Sequence, residues 1–373
     1  MHGYRLTTLL LAATLLALTG CSAGMRARVP DGLLLKPVAA CDPGSPYDVS
    51  RAGVVASVAA GTIEMRSPQG APIAVRKAPA GALSFSPGGE RLAAAIPDGK
   101  STILRLYDLE GKVVSETKVD GQVMSLLWRS GDQLLAGAME VIRYGFGTEL
   151  VSFLYQWDGK NAAKKTTLAD VTLRRKVAAM PEELLFDQLL IALSPYGDEI
   201  AYTTIKDPPL FSPYLRVMIR HLDTGAETEV TQTSLGSGTV AYAPDGESLI
   251  VGDAGAETRR VSTTDGKVLE NLPPSAGPPA VSPFGAYRLL NGDLYRQGVV
   301  VASFPPEARG TFLPDGSGLA LSHKGKVYLL SGLKDGTAAR PAELERILKL
   351  RRLRSQGLIS DAEYQQQKGK VAP

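Results

Sequence analysis

Leu83–Lys112 reads LSFSPGGERLAAAIPDGKSTILRLYDLEGK. Leu83 and Phe85 alternate with serines and run into Ser86-Pro87-Gly88-Gly89. Such alternation predicts a half-buried strand, and the Pro-Gly pair predicts a tight reversal. A second strand, Arg91 to Ile96, is ended by Pro97-Asp98-Gly99, and a third, Thr102 to Asp108, is ended by Glu110-Gly111. Three short strands joined by glycine turns make an antiparallel sheet.

The rest of the chain repeats this phrase. Similar turn words follow short apolar strands at Arg129-Ser130-Gly131-Asp132, Ser194-Pro195-Tyr196-Gly197, Ala243-Pro244-Asp245-Gly246, Ser282-Pro283-Phe284-Gly285 and Leu313-Pro314-Asp315-Gly316. Their spacing runs from about 31 to about 64 residues and centres on the 40 to 50 of a propeller blade. A second word closes later strands: Asp108-Leu109-Glu110-Gly111-Lys112, Trp157-Asp158-Gly159-Lys160, Leu222-Asp223-Thr224-Gly225, Thr264-Asp265-Gly266-Lys267 and Leu333-Lys334-Asp335-Gly336. Asp-Gly pairs in this place predict hairpins to an outer strand.

Two turn words in fixed order predict a mainly β fold, a β-propeller over residues 46–336. Seven blades are counted, with six and eight as the alternatives, because the sixth is short and the third is interrupted. The blades begin near Tyr47, Gly81, Gln122, Gln188, Gly238, Pro279 and Gly310. The interruption, 161–187, departs from strand rhythm around Pro181 and is read as an insertion at a blade edge, which is usually surface elaboration and is also where partners are often gripped. The repeated unit resembles the blades of TolB-like and WD-repeat propellers. The Gly-His and Trp-Asp signatures of WD repeats are missing apart from Trp157-Asp158, so the TolB-like comparison fits better.

Residues 1–20 are read as a signal peptide. Arg5 supplies the positive end, and Leu6 to Thr19 an apolar run too short for a spanning helix, which needs roughly 20 residues. Leu18-Thr19-Gly20-Cys21 then resembles the lipobox of bacterial lipoproteins. That resemblance implies cleavage between Gly20 and Cys21, a diacylglycerol on the Cys21 thiol and an acyl chain, commonly palmitate, on the new amine. Several chains anchor far more firmly than one, at roughly 0.8 kcal/mol per buried CH₂. The implied address is the bacterial cell envelope, and Ser22 points to the outer membrane, facing the periplasm, in a Gram-negative cell. Residues 21–45 are read as the lipidated cysteine and a tether, with packing of Leu33 to Leu35 on the body as the alternative. Cys41 is the one remaining thiol, so no internal disulfide is expected, and no histidine lies near it in the sequence.

Composition is ordinary for a globular chain, 44% hydrophobic and 21% charged. The 39 glycines and 25 prolines exceed the average, as a fold of many short turns requires. A formal charge of +3 over 373 residues implies no broad basic face, so nucleic acid is not an expected partner. His221 and His323 stand about 100 residues apart with no cluster of further ligands, and no metal or other cofactor is expected. No G-x-S-x-G elbow, P-loop or dinucleotide fingerprint occurs, and turn formation accounts for the aspartates of the Asp-Gly pairs. No catalytic residue is assigned.

After Gly336 the pattern changes. Pro341 suits a first helical turn, with Glu343 and Glu345 at the positive end of the dipole. Leu344, Ile347, Leu348, Leu350 and Leu353 form an apolar stripe, and Gly357 stops the helix. Ser360 and Glu363 then make a capping box for a second helix through Tyr364 and Lys368. The run from Leu344 to Lys368, with Gly357-Leu358-Ile359-Ser360 at its turn and Glu363-Tyr364 beyond, resembles the short C-terminal domain called SHOCT. The resemblance implies an αα-hairpin over 340–373 that docks or oligomerises. Folding back onto its own body is the alternative.

The expected function is that of a lipid-anchored envelope scaffold. Its partners are the membrane, unidentified envelope proteins and a second copy through the hairpin. The rival readings are a propeller glycosidase or lyase, with clustered carboxylates at a channel mouth, and a sensor or carrier of a small ligand.

Overall fold

The computed structural model describes residues 25–336 apart from 146, 210, 237, 253–256 and 274–278, and residues 341–370, with the side chains at 175, 176, 341–345 and 355 set aside. The strands form seven four-stranded antiparallel sheets. Blade 1 runs from Tyr47–Val49 to Pro72–Lys77, blade 2 from Ala82–Phe85 to Val113–Asp120, and blade 3 from Gln122–Ser130 to Lys164–Leu173. Blade 4 runs from Ile191–Leu193 to Glu227–Ser234, blade 5 from Thr239–Tyr242 to Val268–Leu272, and blade 6 from Ala280–Val281 to Val299–Ser303. Blade 7 takes Arg309–Phe312, Gly318–His323 and Lys326–Ser331 from the end of the ring, and its fourth strand, Leu34–Ala40, from the beginning. The seven-blade propeller read from the turn words is the fold.

The closing strand corrects two expectations. Leu34–Ala40 pairs antiparallel with Lys326–Ser331, from Leu34↔Ser331 to Ala40↔Lys326. Arg28 already pairs with Ser303 at the end of blade 6. The tether placed over 21–45 is therefore ring structure from Arg28 onward, and the propeller begins before residue 46. Correspondingly, Leu333-Lys334-Asp335-Gly336 opens no hairpin to an outer strand, because that position is already filled. Asp335 is instead buried and caps the Ser282–Gly285 turn, accepting from the Ser282 hydroxyl and from the backbone N–H groups of Phe284 and Ala286 at 2.8 and 2.9 Å.

The insertion is also shorter than 161–187. Lys164–Leu173 is the outer strand of blade 3, and only the connection after it leaves the sheets, as two short helices, α1 (Arg175–Ala178) and α2 (Glu182–Phe186).

The cores lie between blades. Second strands are covered on both faces by their neighbours, so they read as continuous apolar runs; Leu92 to Ala95 are wholly buried. One cluster joins Ala93, Ala95 and Leu104 of blade 2 to Leu126, Trp128 and Leu134 of blade 3. Another joins Ile63 and Met65 of blade 1 to Leu83, Leu92 and Ala94 of blade 2. The alanines let sheets approach closely; truncating a buried leucine here would cost about 2–5 kcal/mol. Each sheet also carries a register shift between its third and fourth strands, which sharpens the twist the ring needs.

Strand direction sorts the loops onto two faces. The turns between first and second, and between third and fourth, strands lie on the lower face. The turns between second and third strands and the blade-to-blade connections lie on the upper face.

Candidate functional site

The C-terminal hairpin is seated on the lower face. Helix α3 (Pro341–Ser355) ends at Gly357, whose φ of +70° places it in the left-handed region that glycine adopts without strain. Leu358 N–H donates to Leu353 O and Gly357 N–H to Arg354 O, which satisfies the last carbonyls of the helix. Helix α4 (Asp361–Lys368) begins at the expected capping box. Ser360 Oγ accepts from Glu363 N–H at 3.2 Å, and Ser360 N–H donates back to the Glu363 carboxylate at 2.8 Å.

What fixes the hairpin to the ring is a cation late in α3 that no motif singles out. Arg351 is wholly buried. Its Nε lies 2.5 Å from Asp198 Oδ2 and its Nη2 2.6 Å from Glu199 Oε2, and Nη1 donates to Gly246 O at 3.1 Å. The guanidinium also lies over the Tyr196 ring, 4.8 Å from its centre. Tyr196 and Asp198 belong to the Ser194–Glu199 turn of blade 4, and Gly246 to the Ala243–Gly246 turn of blade 5. Glycine is required at 246: its φ is +65°, and a Cβ would stand 2.4 Å from the Tyr196 ring.

Two further ties complete the seat. Lys368 Nζ lies 2.6 Å from Glu247 Oε1, and Gln365 donates to the other oxygen at 3.1 Å. Tyr364 is wholly buried under the Arg354 guanidinium, which lies 4.5 Å from its ring centre. Burial pushes the Glu199 carboxyl above its ordinary value, and Arg351 offsets this only in part. Burial also works against the charge on Arg351, but Glu199 and Asp198 outweigh it. At Glu247 burial is overcome by Lys368 and Gln365, which hold its carboxyl below the usual 4.5.

Of the hairpin residues singled out from the sequence, Ile347 and Tyr364 are buried, Leu348, Leu353 and Ile359 half-buried, and Leu358 lies 66% exposed at the turn. The side chain of Leu344 and the lipobox residues Gly20 and Cys21 fall outside the described residues. The hairpin thus lies against its own propeller, through ion pairs and aromatics as much as through the leucine stripe. No period could flag Asp198-Glu199, since Gly89-Glu90 and Gly246-Glu247 carry acids near the same point of other blades.

The upper face is uneven. The second and third strands of blade 3, Gln133–Tyr144 and Gly147–Trp157, are the longest in the ring and project at their joining turn. Arg143 fastens this projection to the helical connection, donating to Ala178 O at 2.8 Å and pairing with Glu182 at 3.2 Å. The Arg174 N–H donates to Asp207 at 2.6 Å and so ties the same connection to the 207–213 loop of blade 4. Beneath the projection a cleft of about 440 Å³ opens between blades 2 and 3, walled by Pro97, Met124, Met139, Val141 and Phe186 with Lys100 and Arg143 at its edge.

On the inner strand of blade 1, Tyr47 donates to Arg309 O at 2.6 Å and Asp48 accepts from Phe85 N–H at 2.7 Å, linking blade 1 to blades 7 and 2. Burial raises the Asp48 carboxyl to about 6. His221 is buried, with Nδ1 accepting from the N–H groups of Asp223 and Thr224, a turn-holding role. Cys41 is a buried free thiol that burial pushes further from ionisation. The described residues contain no group of three or more His, Cys, Asp or Glu placed to hold a metal ion. The buried acid pair Asp198 and Glu199, which by charge alone could serve an acid–base reaction, is filled by Arg351.

No family model matches the chain, and no curated protein matches it. Solved structures do. The β-propeller domain of Cps50 (Swd1) from Myceliophteria thermophila superposes with a TM-score of 0.51 at 16% identity, covering 82% of this chain and 99% of that one. A chain of the Mitotic Checkpoint Complex superposes with a TM-score of 0.54 at 12% identity, covering 84% and 94%. At such identities the likeness is one of architecture, and the chain is a seven-blade β-propeller similar in fold to WD-repeat rings.

Proposed function

We propose that this protein is a lipid-anchored binding platform of the bacterial envelope, held at the membrane through Cys21 and gripping envelope proteins with the surfaces of its ring. The observation that carries the reading is the contrast between the two faces. The lower is capped over blades 4 and 5 by the chain's own hairpin, and the upper presents a projecting hairpin, a helical connection and an open cleft. A rigid ring with distinct loop-built faces is suited to holding partners, and a ring of similar fold stands within a multiprotein complex. The lipobox resemblance at Leu18–Cys21 supports the anchor, and Ser22 the outer membrane. In this reading the SHOCT-like hairpin is an internal cap, because Arg351 is buried in the seat of its own chain.

Crosslinking in intact cells followed by purification tests the platform. Recovery of one envelope protein, enriched over an unrelated lipoprotein carrying the same anchor, is the expected result. Recovery of nothing above a background set by an unrelated lipoprotein would count against it.

A further inference from the structure

The proposed anchor leaves open which way the ring faces. Met25 is the first described residue, so Cys21 stands four residues before it and at most about 14 Å away along an extended chain. The Arg28–Ser303 pair fixes where that short leader departs. Ser303 ends the outer strand of blade 6 on the upper face, and Arg28 runs antiparallel to it, so the chain enters the ring from the upper face at the seam of blades 6 and 7, with Met25 half-buried against the core there. Arg26, Arg28 and Lys324 are exposed there, where anionic headgroups would meet them.

Three blades further round, nearly across the ring, the same face carries exposed apolar side chains. Tyr144 at the tip of the blade 3 projection is 58% exposed, Leu184 on α2 48%, and Phe211 in the blade 4 loop 75%. Arg143–Glu182 and Arg174–Asp207 bind their three supports into one crest. Exposed aromatic side chains raised above a face are what the headgroup boundary of a bilayer accommodates. The other exposed apolar residues, such as Val113-Val114, Val268-Leu269 and Val299-Val300, sit as separate pairs on outer strands around the circumference.

We propose that the upper face lies against the bilayer, touching it at two places: the anchored seam of blades 6 and 7, and the Tyr144–Leu184–Phe211 crest, whose side chains enter the headgroup layer. The lower face, with its seated hairpin, then points away from the membrane. The inference rests on lipidation of Cys21 for the first contact; the crest can be read independently.

Phe211→Trp provides the probe, with Leu358→Trp on the opposite face as control, each in the full chain and read against the wild-type emission of Trp128 and Trp157. Fractionation of wild type against Cys21→Ser reports the anchor alone. Membrane-bound protein is then exposed to brominated lipid. Blue-shifted emission of the tryptophan at 211, quenched while that at 358 is not, supports the proposal. Retention in the membrane with the 211 probe unquenched overturns it and leaves the anchor standing. If wild type fractionates as soluble, the anchor reading fails, and the crest is judged on vesicles of phosphatidylethanolamine and phosphatidylglycerol. Quenching of the 211 probe there sustains the crest contact, and its absence overturns it.

Discussion

Arg351 Nε lies 2.5 Å from Asp198 Oδ2, across 153 residues of chain. With Glu199 on Nη2 and Tyr196 beneath, the guanidinium is matched on its edge and its face, which no lysine could reproduce.

Removing one partner of a buried ion pair costs about 3–5 kcal/mol. Arg351→Ala should therefore release the hairpin while the ring stays folded. Limited proteolysis checks this: cleavage within 341–370 should quicken many-fold, with the fragment 25–336 persisting. Arg351→Lys should fall between the two.

The seat should also respond to acid. Glu247 has a carboxyl held below its usual 4.5 by Lys368 and Gln365, which overcome the opposing effect of burial. Its contribution is complete above pH 4.5 and is lost as pH falls through the lowered value. Glu199, raised by burial, acts in the opposite direction. Comparing thermal midpoints of wild type and Glu247→Gln isolates the first effect, since Glu199 is common to both. The variant should be the less stable at pH 6, and the gap should close towards pH 3.

Asp48 carries a cost of the other sign. Its folded value of about 6 exceeds the ordinary 3.8, so its contribution favours folding below 3.8 and is lost as pH rises through 6. Asn can still accept from Phe85 N–H without the charge. The side chain is half-buried, so solvent relieves part of the penalty, and Asp48→Asn should stabilise the ring by about 1–2 kcal/mol at pH 8 and by little at pH 3.5. Chemical unfolding at the two pH values measures it.

The closing strand offers a paired test. Val38 is 5% exposed and Leu34 50%. Val38→Asp buries a carboxylate between blades and should lower the melting midpoint sharply, whereas Leu34→Asp should shift stability by about 0.5 kcal/mol or less.

The blades were legible because each is written locally, an apolar strand and then a glycine turn such as Ser86–Gly89 or Ala243–Gly246. The closing strand was not. Leu34–Ala40 contains Pro37 and has no clean alternation, and only its distant partner, Lys326–Ser331, makes it a strand. The hairpin could be read from Pro341, Gly357 and Ser360, which act within a few residues. Its seat could not, because Arg351, Asp198 and Gly246 are united only by tertiary structure.

Sealing the ring with Leu34–Ala40 gives the order of synthesis a cost. The earliest-made strand must wait unpaired until nearly three hundred later residues have emerged, and contacts of such separation form slowly. Once formed, the seal is zipped at its bottom end by Leu34 and at its top by Ala40, so a pull on the leader loads the first residues of the whole ring.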